Sequence, residues 1–288
     1  MIPSYLDGTA LQTFIRSALQ EDQGEGDFTS LATIDKDQIS TAELLVKSKG
    51  IIAGVELAAH ILHQCDESIK IFINLNDGAQ VAPGDIVFTA TGSTQQLLLA
   101  ERLLLNCMQR MSGIATYTSR LCQLVEGTNV KLLDTRKTTP LFRAFEKWAV
   151  QIGGGVNHRF NLSEQILIKD NHLTAAGSIG EAIRRTRNFL SSNKKNLSVE
   201  IEVQNLEQVK EAVALSPDVI MLDNMSPDQI KACLKLIGNA CKVEASGGIN
   251  EENIRSYAET GVDFISVGSL THSYRSLDLS LKLRRSQV

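Results

Sequence analysis

Between Lys131 and His172 the chain carries seven lysines or arginines (Lys131, Arg136, Lys137, Arg143, Lys147, Arg159, Lys169) against four acids (Asp134, Glu146, Glu164, Asp170). That is a local excess of three positive charges in a sequence whose formal charge is −4. Several of these charges stand where apolar runs stop: Leu132-Leu133 lead into Asp134, Arg136 and Lys137, and Ile166-Leu167-Ile168 lead into Lys169. Strands that end in charge deliver it to the edge of a sheet, where loops carry chemistry. Arg136, Lys137, His158 and Arg159 together exceed the cation a small aldehyde phosphate needs. They suit a substrate bearing several carboxylates or phosphates, since the guanidinium fork binds carboxylate through two parallel hydrogen bonds. Further strand ends bring Glu202 and Asp223, hard oxygen ligands suited to Mg²⁺ directly or through water. Ser246-Gly247-Gly248 and Gly268-Ser269 follow, small residues that let main-chain N–H groups approach a phosphate.

These residues need elements to position them. Leu11, Phe14, Ile15, Ala18 and Leu19 recur at helical spacing, which predicts a helix over about residues 10 to 20, followed by a polar loop, EDQGEGDFTS. From Thr41 short β-like runs (ELLVKS, GIIAGVE, IKIFINL, DIVFTATG) are broken by Gly- and Pro-containing turns and interrupted by a helix from Leu57 to Gln64. This first part reads as a small α+β unit with an antiparallel sheet. Leu97 to Met111 give a wide apolar helical face within Thr94 to about Gly127, with a break expected at Ser112-Gly113. Thereafter strand, polar terminus and helix repeat. Six strands are expected: Val130–Leu133, Gln165–Ile168, Ser198–Val203, Val219–Leu222, Lys242–Ala245 and Phe264–Val267; the Gly153 region and Leu173 to Asn196 leave room for one or two more. Helix caps are expected at Thr139-Pro140, Asn205, Ser226-Pro227 and Asn250, with Gly261 closing the last helix. The pattern fits an incomplete parallel α/β barrel, whose strand C-termini make the active face.

At 288 residues with 43% apolar content, a sizeable core in one or two domains is expected. A pI near 5.8 argues against a general nucleic-acid or anionic-membrane binder. Five scattered cysteines without a CxxC pair suit reduced thiols, and no long apolar segment is present, so a soluble cytoplasmic protein is expected.

Competing readings exist for individual residues. Glu202 and Asp223 can instead pair with Lys169 or Arg136 in an ion network, and Glu200, on the same strand face as Glu202, is its support or its rival. Lys169 at a strand end is also a Schiff-base candidate of the aldolase kind, and a non-catalytic anion-binding module is a third possibility. His60, His63 and Cys65 read as ordinary helix residues rather than metal ligands, and Arg102 taken alone as a solvated one.

The motifs EDQGEGDFTS, ERLLLNCMQRMSGIAT, DTRKTTP, EKWAVQIGGGVNHR, LIKDNH, VEIEV, MLDNM, EASGGI and SVGSLTHS together resemble the quinolinate phosphoribosyltransferase family, along essentially the whole chain. The resemblance implies an N-terminal α/β open-faced sandwich (1–112, with 273–288 packing back on it) followed by an incomplete α/β catalytic barrel (113–272). It implies transfer of phosphoribosyl from phosphoribosyl pyrophosphate to quinolinate with loss of CO₂, Mg²⁺ as cofactor, and a homodimer in which one sandwich covers its partner's barrel. It further implies that Arg102 reaches the partner's site and that Thr135, Arg136, Lys137, His158, Arg159 and Lys169 surround the dicarboxylate. Glu202 and Asp223 then lie near ribose and metal, while Ser246, Gly247, Gly248, Val267, Gly268 and Ser269 hold phosphate; Lys137, Lys169, Glu202 and Asp223 are the expected catalytic groups. In one departure, the family usually continues DTRKTTP with glycine and leucine, whereas this chain has Leu141-Phe142. A branch of the family linked to molybdenum uptake shares much of the pattern.

Overall fold

The computed structural model describes residues 2 to 284. Its elements are α1 (Gly8–Gln23), α2 (Phe28–Thr33), β1 (Ile39–Val46), β2 (Gly50–Ile51), α3 (Val55–Cys65), β3 (Lys70–Ile73), β4 (Gln80–Val81), β5 (Ile86–Ser93) and α4 (Thr94–Leu124). They continue with β6 (Lys131–Leu133), α5 (Arg143–Ile152), β7 (Ile166–Ile168), α6 (Asp170–Ala176), α7 (Ile179–Ser192), β8 (Val199–Val203) and α8 (Leu206–Ala214). The last are β9 (Val219–Asp223), α9 (Pro227–Ile237), β10 (Lys242–Ser246), α10 (Ile254–Ala258), β11 (Phe264–Ser266), α11 (Ser269–His272) and β12 (Leu279–Arg284).

The chain divides into two compact units. Among the described residues, the first holds 2–119, Pro140–Gly154 and 273–284. An antiparallel sheet in the order β12-β1-β5-β3 organises it, so the C-terminal strand pairs with β1 (Leu44 opposite Leu281). The polar loop expected after α1 is shorter than the sequence suggests. Asp27 caps α2, accepting from Ser30 N–H at 3.0 Å, so only residues 24 to 27 remain between helices.

Two expectations fail here for one reason, close packing. Helix α4 runs unbroken through Ser112-Gly113. Ser112 Oγ bonds both the N–H and the C=O of Ala53, and a Cβ on Gly113 would lie 2.4 Å from the Arg275 carbonyl oxygen. The pair permits close approach of neighbouring chain rather than ending the helix. Thr139-Pro140 does not cap α5 either; Leu141 takes φ +63° and the helix starts at Arg143 without a side-chain cap. Instead α5 is held by aromatic packing, Phe145 lying 4.4 Å from the Phe14 ring and 4.9 Å from Phe142, and by a buried ion pair of Glu146 with Arg110. This places 140–154 in the first compact unit, whose first stretch runs on to Ser119 within α4.

The second unit contains a six-stranded parallel sheet in the order β6-β11-β10-β9-β8-β7. It is the incomplete barrel, open between β6 and β7. No further strand hides in the expected places: Leu173 to Asn196 is occupied by α6 and α7, and near Gly153 there is a single bridge, Leu133 to Val156. Asn205 and Ser226 cap α8 and α9, while α10 starts at Ile254, four residues after Asn250, whose side chain closes a turn onto Glu252 N–H. Among the described residues no helix is long and apolar enough to cross a membrane.

Candidate functional site

Because all six strands of the second unit run parallel, their C-termini reach one rim, and there a cleft of about 760 Å³ opens. At the end of β6, Asp134 is fully buried; its carboxylate accepts from Asn157 Nδ2 at 2.6 Å and from His158 N–H at 2.9 Å. One acid thereby joins the segment bearing Thr135, Arg136 and Lys137 to the segment bearing His158 and Arg159. Lys137 is held at its main chain, its N–H donating to Thr135 Oγ1 at 3.0 Å and its C=O accepting from Thr271 Oγ1 at 2.9 Å. Arg159 donates through Nη1 to the Gln165 carbonyl at 3.0 Å. Burial first, then the positive charge of Arg136, lowers the proton affinity of its guanidinium. Two arginines crowded in this way describe a pocket short of anions.

Across the cleft, Lys169 Nζ donates to Glu202 Oε2 at 2.6 Å. Asp223, at the end of β9, has its carboxyl pushed up from its ordinary value by burial and then by the charge of Glu202, against one bond accepted from Asn224 Nδ2 at 2.7 Å. Two carboxyls on adjacent strands, Asp223 raised in part by the charge of Glu202, form a site that a hard cation relieves, so their chemistry fits Mg²⁺. The loop after β10 is built for close approach. Gly247 takes φ +95°, and a Cβ there would lie 2.2 Å from Asn224 Oδ1, whereas beside Gly248 there is open space. Gly268 is similarly confined, with Lys137 Cδ and His272 Nε2 each 3.1 Å from where its Cβ would be.

Thr135, Arg136, Lys137, His158, Arg159, Lys169, Glu202, Asp223, Ser246, Gly247, Gly248, Gly268 and Ser269 thus line one cleft. Two expected residues do not. Arg102 is exposed on α4 in the first unit. Val267 is buried, its N–H donating to the Leu133 carbonyl at 3.0 Å, so it fastens β11 to β6. Residues not singled out from the sequence also line the cleft, among them Asp134, Asn224 and His272. Asn224 carried a signal inside MLDNM, an asparagine directly after a strand-end acid, and its φ of +55° is the turn geometry asparagine tolerates. Glu200, the proposed rival of Glu202, is fully buried, does not line the cleft and contacts His158. In α3, His63 Nε2 lies 3.1 Å from the Ile69 carbonyl, a local structural contact.

Models of the quinolinate phosphoribosyl transferase N-terminal and C-terminal domains match residues 27–112 and 114–282. A probable nicotinate-nucleotide pyrophosphorylase [carboxylating] of Bacillus subtilis is 42% identical, over 96% of this chain and 94% of that protein. A mitochondrial quinolinate phosphoribosyltransferase [decarboxylating] of Nicotiana tabacum is 40% identical, over 95% of this chain and 82% of that protein. Among solved structures, NadC from Streptococcus pyogenes superposes with a TM-score of 0.92 at 38% identity, covering 97% of this chain and 98% of that one.

Proposed function

We infer that the cleft is the active site of a decarboxylating phosphoribosyltransferase, because this chain belongs to the quinolinate phosphoribosyl transferase family. The reaction joins quinolinate and phosphoribosyl pyrophosphate to give nicotinate mononucleotide, pyrophosphate and CO₂, a step of de novo NAD biosynthesis. One observation carries the assignment of the site: a single cleft sets Arg136, Lys137, Arg159 and Lys169 against Glu202, Asp223 and two glycine-bearing loops. The cationic side receives the two carboxylates of quinolinate and so presents the pyridine nitrogen to the anomeric carbon. Glu202 and Asp223 stabilise positive charge developing on the ribose as pyrophosphate departs. Glu202 and Asp223 would hold a Mg²⁺, directly or through water, which would supply charge neutralisation for the pyrophosphate. The ribosylated ring is cationic and draws the electrons of the adjacent C–CO₂⁻ bond, so the residues that fix that carboxylate also hold the ring in place while CO₂ leaves. Lys169 is committed to its ion pair with Glu202 rather than poised as a Schiff-base nucleophile, which favours this reading over an aldolase-like one.

The active form is a homodimer, with Arg102 acting in the partner's site; its exposure on α4 supports that role. All five cysteines are free thiols, which supports a reducing compartment, the cytoplasm. The test is to incubate the protein with phosphoribosyl pyrophosphate, Mg²⁺ and either quinolinate or nicotinate, following CO₂ and mononucleotide. Product from nicotinate alone overturns the substrate assignment.

A further inference from the structure

Behind His158, inside the six-stranded sheet, sit two carboxyl groups where parallel barrels usually pack branched apolar side chains. Glu200 on β8 is 0% exposed and Glu244 on β10 is 1% exposed. Glu200 Oε2 accepts from His158 Nε2 at 3.0 Å and from Gln165 Nε2 at 2.9 Å. Glu244 Oε1 accepts from Ser266 Oγ at 2.5 Å. Two oxygens are left over: Glu200 Oε1 is buried without a partner, and Glu244 Oε2 is 3.7 Å from His158 Nε2.

His158 Nδ1 accepts the Arg159 N–H at 2.8 Å, which leaves the ring proton on Nε2, directed at Glu200. The same bond disfavours a metal ion here, although His158, Glu200 and Glu244 each bring one ligand atom within 4.8 Å of the others. A metal on Nε2 while Nδ1 accepts a hydrogen bond would require a doubly deprotonated imidazolate. Two carboxylates buried side by side are costly, and a single proton between them removes one charge and gives Glu200 Oε1 the donor it lacks.

We propose that Glu244 keeps its proton and donates it to Glu200 Oε1, making it a positioning residue that braces Glu200, His158 and Arg159 behind the dicarboxylate pocket without adding a second negative charge there. This deepens the functional reading above and rests on it for the choice of ligand. Burial first, then the charge of Glu200 and a hydrogen bond with it, push the Glu244 carboxyl well above the ordinary value; Ser266 and the positive charge of Lys169 oppose that rise and do not outweigh it. Of its strand neighbours, β9 sets Met221 opposite it and β11 supplies Ser266, neither of which titrates near neutrality. Through the Arg159 N–H bond to His158, the brace fixes the main chain that carries the Arg159 guanidinium.

The variants E244A and E244Q test this. Alanine leaves Glu200 Oε1 unpaired, and the expected result is a quinolinate KM raised about 10-fold with kcat changed far less. Glutamine is neutral and still donates to Glu200, so it is expected to restore most of that loss. It is also expected to remove the alkaline rise in quinolinate KM that the parent shows as Glu244 ionises. Glutamine as damaging as alanine, or a parent and E244Q with the same alkaline limb, overturns the proposal. Infrared difference spectra of the parent protein need neither variant folding nor turnover. A protonated-carboxyl C=O band present at neutral pH and lost on alkaline titration supports the shared proton, and its absence overturns it even if the transferase reading stands.

Discussion

At the scale of single residues, the cleft sets the cations Arg136, Lys137, Arg159 and Lys169 against the carboxyls Glu202 and Asp223. Arg136→Ala and Arg159→Ala are each expected to raise the quinolinate KM by about 10-fold or more, equivalent to about 1.4 kcal/mol, because a carboxylate loses its charge-assisted partner. Steady-state kinetics with quinolinate varied check this, and unchanged values in both variants would sink the dicarboxylate pocket. Asp223 makes a prediction about pH. Its folded-state carboxyl is raised, so its favourable contribution to stability is complete below the unfolded value of 3.8 and is lost as pH rises through the folded value. Without Mg²⁺ near neutrality, Asp223→Asn is therefore expected to melt above the parent while losing turnover. Thermal melts at pH 4 and 7 should show the gain at pH 7 only. The thiols are expected to be inert, since burial pushes Cys107 up to about 12 and Cys65 up to about 11. Alkylation of native protein at neutral pH should leave both unlabelled, with labelling appearing on denaturation.

At the scale of elements, glycine identity is set by what approaches it. In a helix interior Gly→Ala ordinarily stabilises by about 1 kcal/mol. In α4 the added methyl of Gly113→Ala would meet the Arg275 carbonyl at 2.4 Å, so the sign should reverse, with a loss of about 1–3 kcal/mol in denaturant unfolding. A stabilised variant would show that the chain around Arg275 yields freely. Caps behave more regularly. The side chains of Asn205 and Ser226 both accept the N–H expected of an N-cap, because an Asn or Ser before an apolar-periodic run encodes that bond locally. Thr139-Pro140 had the same local form and failed, since the aromatic packing of Phe142 and Phe145 outweighs it.

At the scale of the whole molecule, the proposed homodimer, with Arg102 acting in the partner's site, makes a prediction of its own. Mixing Arg102→Ala protein with Lys169→Ala protein, each nearly inactive alone, is expected to restore about a quarter of the parent activity after subunit exchange. Half of randomly paired dimers are mixed, and each has one complete site of two. Turnover measured before and after exchange checks this, and the absence of recovery would mean that Arg102 acts within its own chain or not at all.

The sequence by itself determined the strands, their charged ends and the family, because period-2 and period-3.6 patterns, caps and motif chemistry are local and written in adjacent residues. It supplied most of the cleft for the same reason: a parallel sheet carries every strand C-terminus to one rim, so residues after Leu133, Ile168, Ala245 and Ser266 meet without further information. Only the tertiary structure decided the rest. Gly113 reads as a break until Arg275, far along the chain, is seen against it. That Val267 N–H is held by the Leu133 carbonyl, more than a hundred residues earlier in the chain, is written in no local pattern. Glu200 and Glu244 lie 44 positions apart, and no spacing rule announces that both stand behind His158. The excess charge from Lys131 to His172 was legible in adjacent residues; the burial of Glu200 and Glu244 behind His158 depends on desolvation and long-range contact, which act only once the barrel has formed.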